Sequence, residues 1–111
     1  MKLSEIIRIL SAKIHASGDF DILIHSYKAS NLLSEILRGP ADNSILLTKL
    51  DNIQVIRTAE ITDMRAVILA HHIPSDEMIQ MAANSRIPLL STKYQLSQCC
   101  ELLQQYGLHS W

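Results

Sequence analysis

The stretch from Arg65 to Thr92 constrains the fold more than any other part of the chain. Ala66-Val67-Ile68-Leu69-Ala70 is an aliphatic run with no polar interruption, closed by His71-His72-Ile73-Pro74. A helical pattern opens at Ser75 and ends near Asn84-Ser85, and Ile87-Pro88-Leu89-Leu90 is a second apolar run stopped by Ser91-Thr92. Strands that are apolar on both sides must be covered on both faces, which is the habit of parallel sheets. The segment between the two runs has room for the helix that a parallel connection requires. The stretch therefore predicts a right-handed βαβ unit.

The flanking chain extends the pattern. Leu3, Ile6, Ile7 and Leu10 follow the i, i+3, i+4, i+7 spacing of an amphipathic helix. Lys13-Ile14-His15-Ala16 reads as a short edge strand and Ser17-Gly18-Asp19 as a turn; Phe20 to Ser26 reads as a strand with Phe20, Ile22 and Ile24 on one side. Ser30 is the expected N-cap of a helix faced by Leu32, Leu33, Ile36 and Leu37 and stopped by Arg38-Gly39-Pro40. Ser44 to Thr48 reads as a buried strand, and Asp51 as the cap of a helix carrying Ile53, Ile56 and Ala59. Ser75, with Asp76 and Glu77 in the first turn, suits the positive end of the crossover helix, whose buried side holds Met78, Ile79 and Ala82. Ser91-Thr92 is the expected cap of a last helix with the face Leu96, Cys99, Cys100 and Leu103; Gly107 ends it, and Leu108 to Trp111 is a tail. This order predicts a single α/β domain over residues 1–111. It is a three-layer αβα fold whose mainly parallel central sheet has about four to five strands. The first strands supply an antiparallel edge.

Composition removes several classes of function. The 111 residues suit one domain that folds without metal or disulfides. The formal net charge is −1 with both signs scattered, so no basic stripe marks a nucleic-acid footprint. No apolar run is long enough for a membrane span, and Met1-Lys2-Leu3-Ser4-Glu5 lacks a signal-peptide core. The two cysteines, Cys99 and Cys100, are adjacent, and neighbours on a helix point about 100° apart. Neither a bridge between them nor a zinc spacing is expected, which fits a cytoplasmic protein.

From Ser30 onward the organisation resembles the DRTGG domain, a module similar to the N-terminal domain of bacterial HPr kinase/phosphorylase. The residues that carry the resemblance are Ser30 to Leu37 after the second strand, Asn52-Ile53 opening the next helix, Ala66 to Leu69 as the central strand, and Ile87 to Thr92 before the last helix. The length matches the small stand-alone members almost end to end. The run Asp-Arg-Thr-Gly-Gly itself is absent, and His71-His72-Ile73-Pro74 stands where members often carry a Thr-Gly-Gly-like turn. The three glycines, Gly18, Gly39 and Gly107, form no phosphate loop, so the resemblance implies the accessory domain and not the kinase. Such modules occur beside regulatory CBS pairs and in phosphotransacetylase-like enzymes, a setting that implies sensing or assembly.

Ligands in open α/β sheets usually lie beyond the carboxyl ends of the parallel strands. Those ends offer Tyr27-Lys28, Thr48-Lys49, His71-His72 and Ser91-Thr92, a polar and partly cationic rim. The candidate binding residues are Lys28, Thr48, Lys49, His71, His72, Ser91 and Thr92, and a small anion such as a phosphate or nucleotide is the matching ligand. The competing reading is that the hydroxyls cap helices and the lysines are solvated. His71 and His72, joined by His25 if its strand lies alongside, are too few for a metal site, so no metal and no cofactor is expected. Met78, Met81, Leu102, Tyr106 and Trp111 either form a homodimer or partner surface or fill the layers between sheet and helices. The function expected is a non-catalytic regulatory module that binds a partner or a small anion. The alternative is a small enzyme or phosphate-handling subunit that uses the rim, which requires a closed pocket with a histidine and a hydroxyl in hydrogen-bonding reach.

Overall fold

The computed structural model describes residues 1–38 and 42–110. The elements are α1 (Leu3–Ile9), β1 (Lys13–Ala16), β2 (Ser26–Ala29), α2 (Leu33–Ile36), β3 (Ser44–Thr48), α3 (Ile53–Ile61), β4 (Ala66–Ala70), α4 (Asp76–Ser85), β5 (Leu89–Thr92), α5 (Leu96–Gln105) and β6 (His109–Ser110). They build a six-stranded sheet in the order β1-β5-β4-β3-β2-β6. Strands β2 to β6 run parallel, and β1 is the antiparallel edge beside β5.

The aliphatic runs become the centre of the sheet because they are apolar on both sides. All five residues of β3 and all five of β4 are buried. In register, Leu46 is level with Val67 and Val67 with Leu89; these side chains pack with Ile36 of α2, Val55 and Ile56 of α3, and Met78 and Ala82 of α4. The next residues along, Leu47, Ile68 and Leu90, face the other way and meet Leu3 and Ile6 of α1 and Cys99 and Leu103 of α5. The expected βαβ unit and the three layers are both present.

Several local expectations give way to tertiary contacts. Phe20 to Ser26 is not a strand of the sheet, which begins at Ser26. The alternation still serves a purpose: Phe20, Ile22 and Ile24 pack toward the α1/α5 layer. The carbonyls of Ile22 and Phe20 accept from Leu3 N at 3.0 Å and Ser4 N at 2.9 Å, satisfying donors that a helix start leaves unpaired. Asp51 does not cap α3; Asn52 does, accepting Gln54 N at 3.0 Å. Ser30 lies ahead of the α2 cap residue Leu32, accepting Leu32 N at 3.1 Å and donating to Glu35 Oε2 at 2.9 Å. Ser91-Thr92 lies within β5, and α5 starts from Gln95, whose N–H donates to Gln98 Oε1 at 2.9 Å. The tail after Gly107, which turns at φ 94°, pairs with β2 as a sixth strand. Met78 is wholly buried and Met81 and Leu102 pack partly against the core, whereas Tyr106 is 61% exposed. Methionine surplus is thus core filling. Gly39 and Pro40 of the expected stop signal, and Trp111, lie outside the described residues.

Candidate functional site

The chain parts between β4 and β5. Strand β4 leads to α4 on one face of the sheet, whereas its parallel neighbour β5 leads to α5 on the other. Oppositely directed connections open a crevice at the carboxyl ends of such strands. Here it is a cleft of ≈ 700 Å³ lined by Ser11, Lys13, His71, His72, Ile73, Ser91, Thr92 and Lys93. Three loops form its walls: β4–α4, β5–α5, and α1–β1, which arrives because antiparallel β1 starts level with the end of β5, Lys13 opposite Ser91.

Each wall is tied to another. The Nδ1 atom of His71 lies 3.0 Å from the Lys93 carbonyl oxygen. His71 takes φ 53°, a left-handed conformation that few non-glycine residues adopt, while its N–H still continues the ladder to Thr92 O at 2.8 Å. His72 Nε2 is 2.9 Å from Asp51 Oδ2, and the other carboxylate oxygen accepts Ser75 N at 3.0 Å. Burial pulls the Asp51 carboxyl up, but the bonds from Ser75 and His72 outweigh it and hold the group below its ordinary value. Thr92 Oγ1 donates to Leu10 O at 2.7 Å and accepts Tyr94 N at 3.3 Å. Ser91 Oγ pairs with His15 Nε2 at 2.7 Å. Burial, and then the charge of Lys13, push His15 below its ordinary value and favour the neutral ring.

Four of the seven sequence candidates, His71, His72, Ser91 and Thr92, therefore meet in one cleft. The other three stand apart from it. Thr48 Oγ1 donates to Asn31 Oδ1 at 3.3 Å and Lys49 N donates to the same atom at 2.8 Å, so both belong to a β2–β3 corner. Lys28 lies in β2, in register with Leu46. His25 precedes β2, and the parallel strands put it at the opposite end of the sheet from His71 and His72. Among the described residues no group of three or more His, Cys, Asp and Glu is arranged to hold a metal ion. Sequence reasoning missed Ser11, Lys13, His15 and Lys93. Lys93 directly follows the named pair, but Ser11, Lys13 and His15 enter only through the β1–β5 pairing.

The lining includes two lysines, two histidines and Ser11, and no carboxylate. That donor set suits an oxyanion. The hollow at the other end of the sheet, ≈ 260 Å³, mixes Asp19, Glu60 and Asp63 with Arg65 and Arg86, and has no such bias.

The sheet and the helices on its two faces make a three-layer α/β domain. The chain superposes, with a TM-score of 0.71 over 94% of its length, on the crystal structure of the CBS and DRTGG domains of the regulatory region of Clostridium perfringens pyrophosphatase, complexed with its activator diadenosine tetraphosphate. The sequences are 17% identical, and the match spans 46% of that chain. No protein-family profile matches the sequence, and a search of curated proteins finds no match. The resemblance read in the sequence therefore holds at the level of the fold. No helix among the described residues is long and apolar enough to cross a membrane.

Proposed function

We propose that this protein is a non-catalytic regulatory module that binds a small phosphate-bearing ligand, of the nucleotide or polyphosphate class, in the cleft between the ends of β4 and β5. The observation that carries the reading is the lining itself: Lys13 and Lys93 face a cleft whose lining has no acid, at the place where this fold class takes ligands. Its volume falls in the range of roughly 300–1,000 Å³ typical of small-molecule sites. The structural neighbour, a regulatory region crystallised with a nucleotide activator, supports the same class of ligand. Lys28, Thr48 and Lys49 form a separate polar corner outside this reading. Self-association as a homodimer belongs to it, through exposed apolar side chains such as Tyr106 and Leu32.

The experiment is a thermal-shift series with inorganic phosphate, pyrophosphate, ADP and ATP, with light scattering on the same samples. At ligand concentrations of about 100 times Kd the stabilisation is about 2.7 kcal/mol, a rise of several degrees. The rise is lost in Lys93→Ala and weakened in Lys13→Ala, and it is kept in Lys49→Ala. No rise with any of the four anions, or an equal loss in Lys49→Ala, defeats the reading.

One observation favours the enzymatic alternative: a hydroxyl lining the cleft, Ser91 Oγ, lies 2.7 Å from a histidine nitrogen. The cleft is open, however, and among the described residues no carboxylate is bonded to His15 to orient it. Breakdown of ADP or ATP in those samples, abolished by His15→Ala, would establish the enzyme.

A further inference from the structure

Two histidines line the cleft and a third, His15, is bonded to Ser91 beside it; their hydrogen bonds set them apart. His15 spends Nε2 on Ser91 and His72 spends Nε2 on Asp51. His71 spends Nδ1 on the Lys93 carbonyl, and its Nε2 has no partner among the described residues. A carbonyl oxygen can only accept, so the Nδ1 of His71 must carry the hydrogen. In the neutral ring, Nε2 is then a bare acceptor. An ionised phosphate oxygen is also only an acceptor, and two acceptors repel. The pair becomes a hydrogen bond only when Nε2 gains a proton, after which it is charge-assisted.

We propose that His71 reads the oxyanion through Nε2, and that binding takes up one proton there. This rests on the reading of the cleft as an anion site and names how that site recognises its ligand. The backbone supports the assignment. The left-handed conformation of His71 directs the chain out of β4 so that the ring reaches across to the exit of β5, and strained residues of this kind cluster at ligand clamps. The charged and titratable groups around the cleft are His72 on the same loop as His71, Lys93 on β5–α5, Lys13 and His15 on β1, the latter bonded to Ser91, and Asp51, which is engaged by His72. The two lysines attract the anion. His72, already donating to Asp51, needs no further proton to do so.

The test is titration calorimetry with ADP at about pH 8, well above the second phosphate ionisation near ~6, so the ligand has no proton to contribute. Running it in two buffers of different ionisation enthalpy counts the protons. Wild type takes up protons on binding ADP, and its affinity falls as pH rises in proportion to the protons taken up. His71→Gly loses the uptake and binds roughly 10- to 100-fold more weakly, as expected for one hydrogen bond between charged groups. His72→Gln keeps the uptake. Wild-type binding with no proton taken up, or uptake that persists in His71→Gly, overturns the role of His71 and leaves the anion cleft standing. No binding of ADP, phosphate or pyrophosphate by the wild type overturns both.

Discussion

His71 leaves the end of β4 in a left-handed backbone conformation. Its φ of 53° lies in the region glycine enters freely, so an imidazole is held there at a backbone cost. Comparing two variants that both lack the ring isolates this cost. His71→Gly is expected to melt about 4 °C above His71→Ala, equivalent to about 1 kcal/mol at this chain length. Thermal unfolding followed by circular dichroism measures the difference, and an alanine variant equal to or above the glycine one would show that the position carries no strain. Half of the cleft was legible at this scale. His71, His72, Ser91 and Thr92 were named because they terminate or follow aliphatic runs, a property of neighbouring residues. Lys13 and His15 were invisible for the opposite reason: their neighbours in space are far along the chain, and nothing local marks them.

Among the elements, the connection from β1 to β2 depends on a close approach. A Cβ on Gly18 would lie 2.6 Å from Cγ of Pro88, a ring with little freedom to move just ahead of β5. Gly18→Ala is therefore expected to cost about 1–3 kcal/mol, the usual penalty of overpacking, read as a lower urea midpoint with an unchanged slope. A variant with the wild-type midpoint would mean that the two loops separate without cost. At the same scale, Phe20 to Ser26 reads as a strand but is not one. Period-two alternation reports which side is buried, and that side was right. It does not report whether the backbone hydrogen bonds go to a strand or, as here, to the first turn of α1. Caps behaved similarly. Ser75 caps α4 as expected, accepting Met78 N at 3.3 Å. Asp51 was displaced from α3 by Asn52 and joins two loops instead.

For the whole molecule, the tied loops make stability depend on pH. The folded value of His15 lies below the ordinary 6.5, so the unfolded chain takes up this proton first. The stability it contributes is complete above that value and is lost as pH falls below it. Asp51 is likewise depressed from 3.8, so its contribution is complete above that value and disappears as pH falls through the lower folded value. Acidification should weaken the fold in two stages. His15→Asn removes the upper stage and Asp51→Asn the lower, as measured by chemical unfolding at a series of pH values. Wild-type stability that increases on acidification from neutrality would contradict both assignments. At this scale the division between sequence and structure is plain. The aliphatic runs at Leu46, Ile68 and Leu89, with helical periods between them, determined by themselves the layers, the parallel centre and the crossover, because periodicity and burial are local properties of a chain. Only the tertiary structure decided that β1 pairs antiparallel with β5, that the tail returns to β2, and that α4 and α5 leave neighbouring strands on opposite faces. Those choices depend on contacts between residues distant in the chain, and they are what opens the cleft and brings Lys13 and His15 to it.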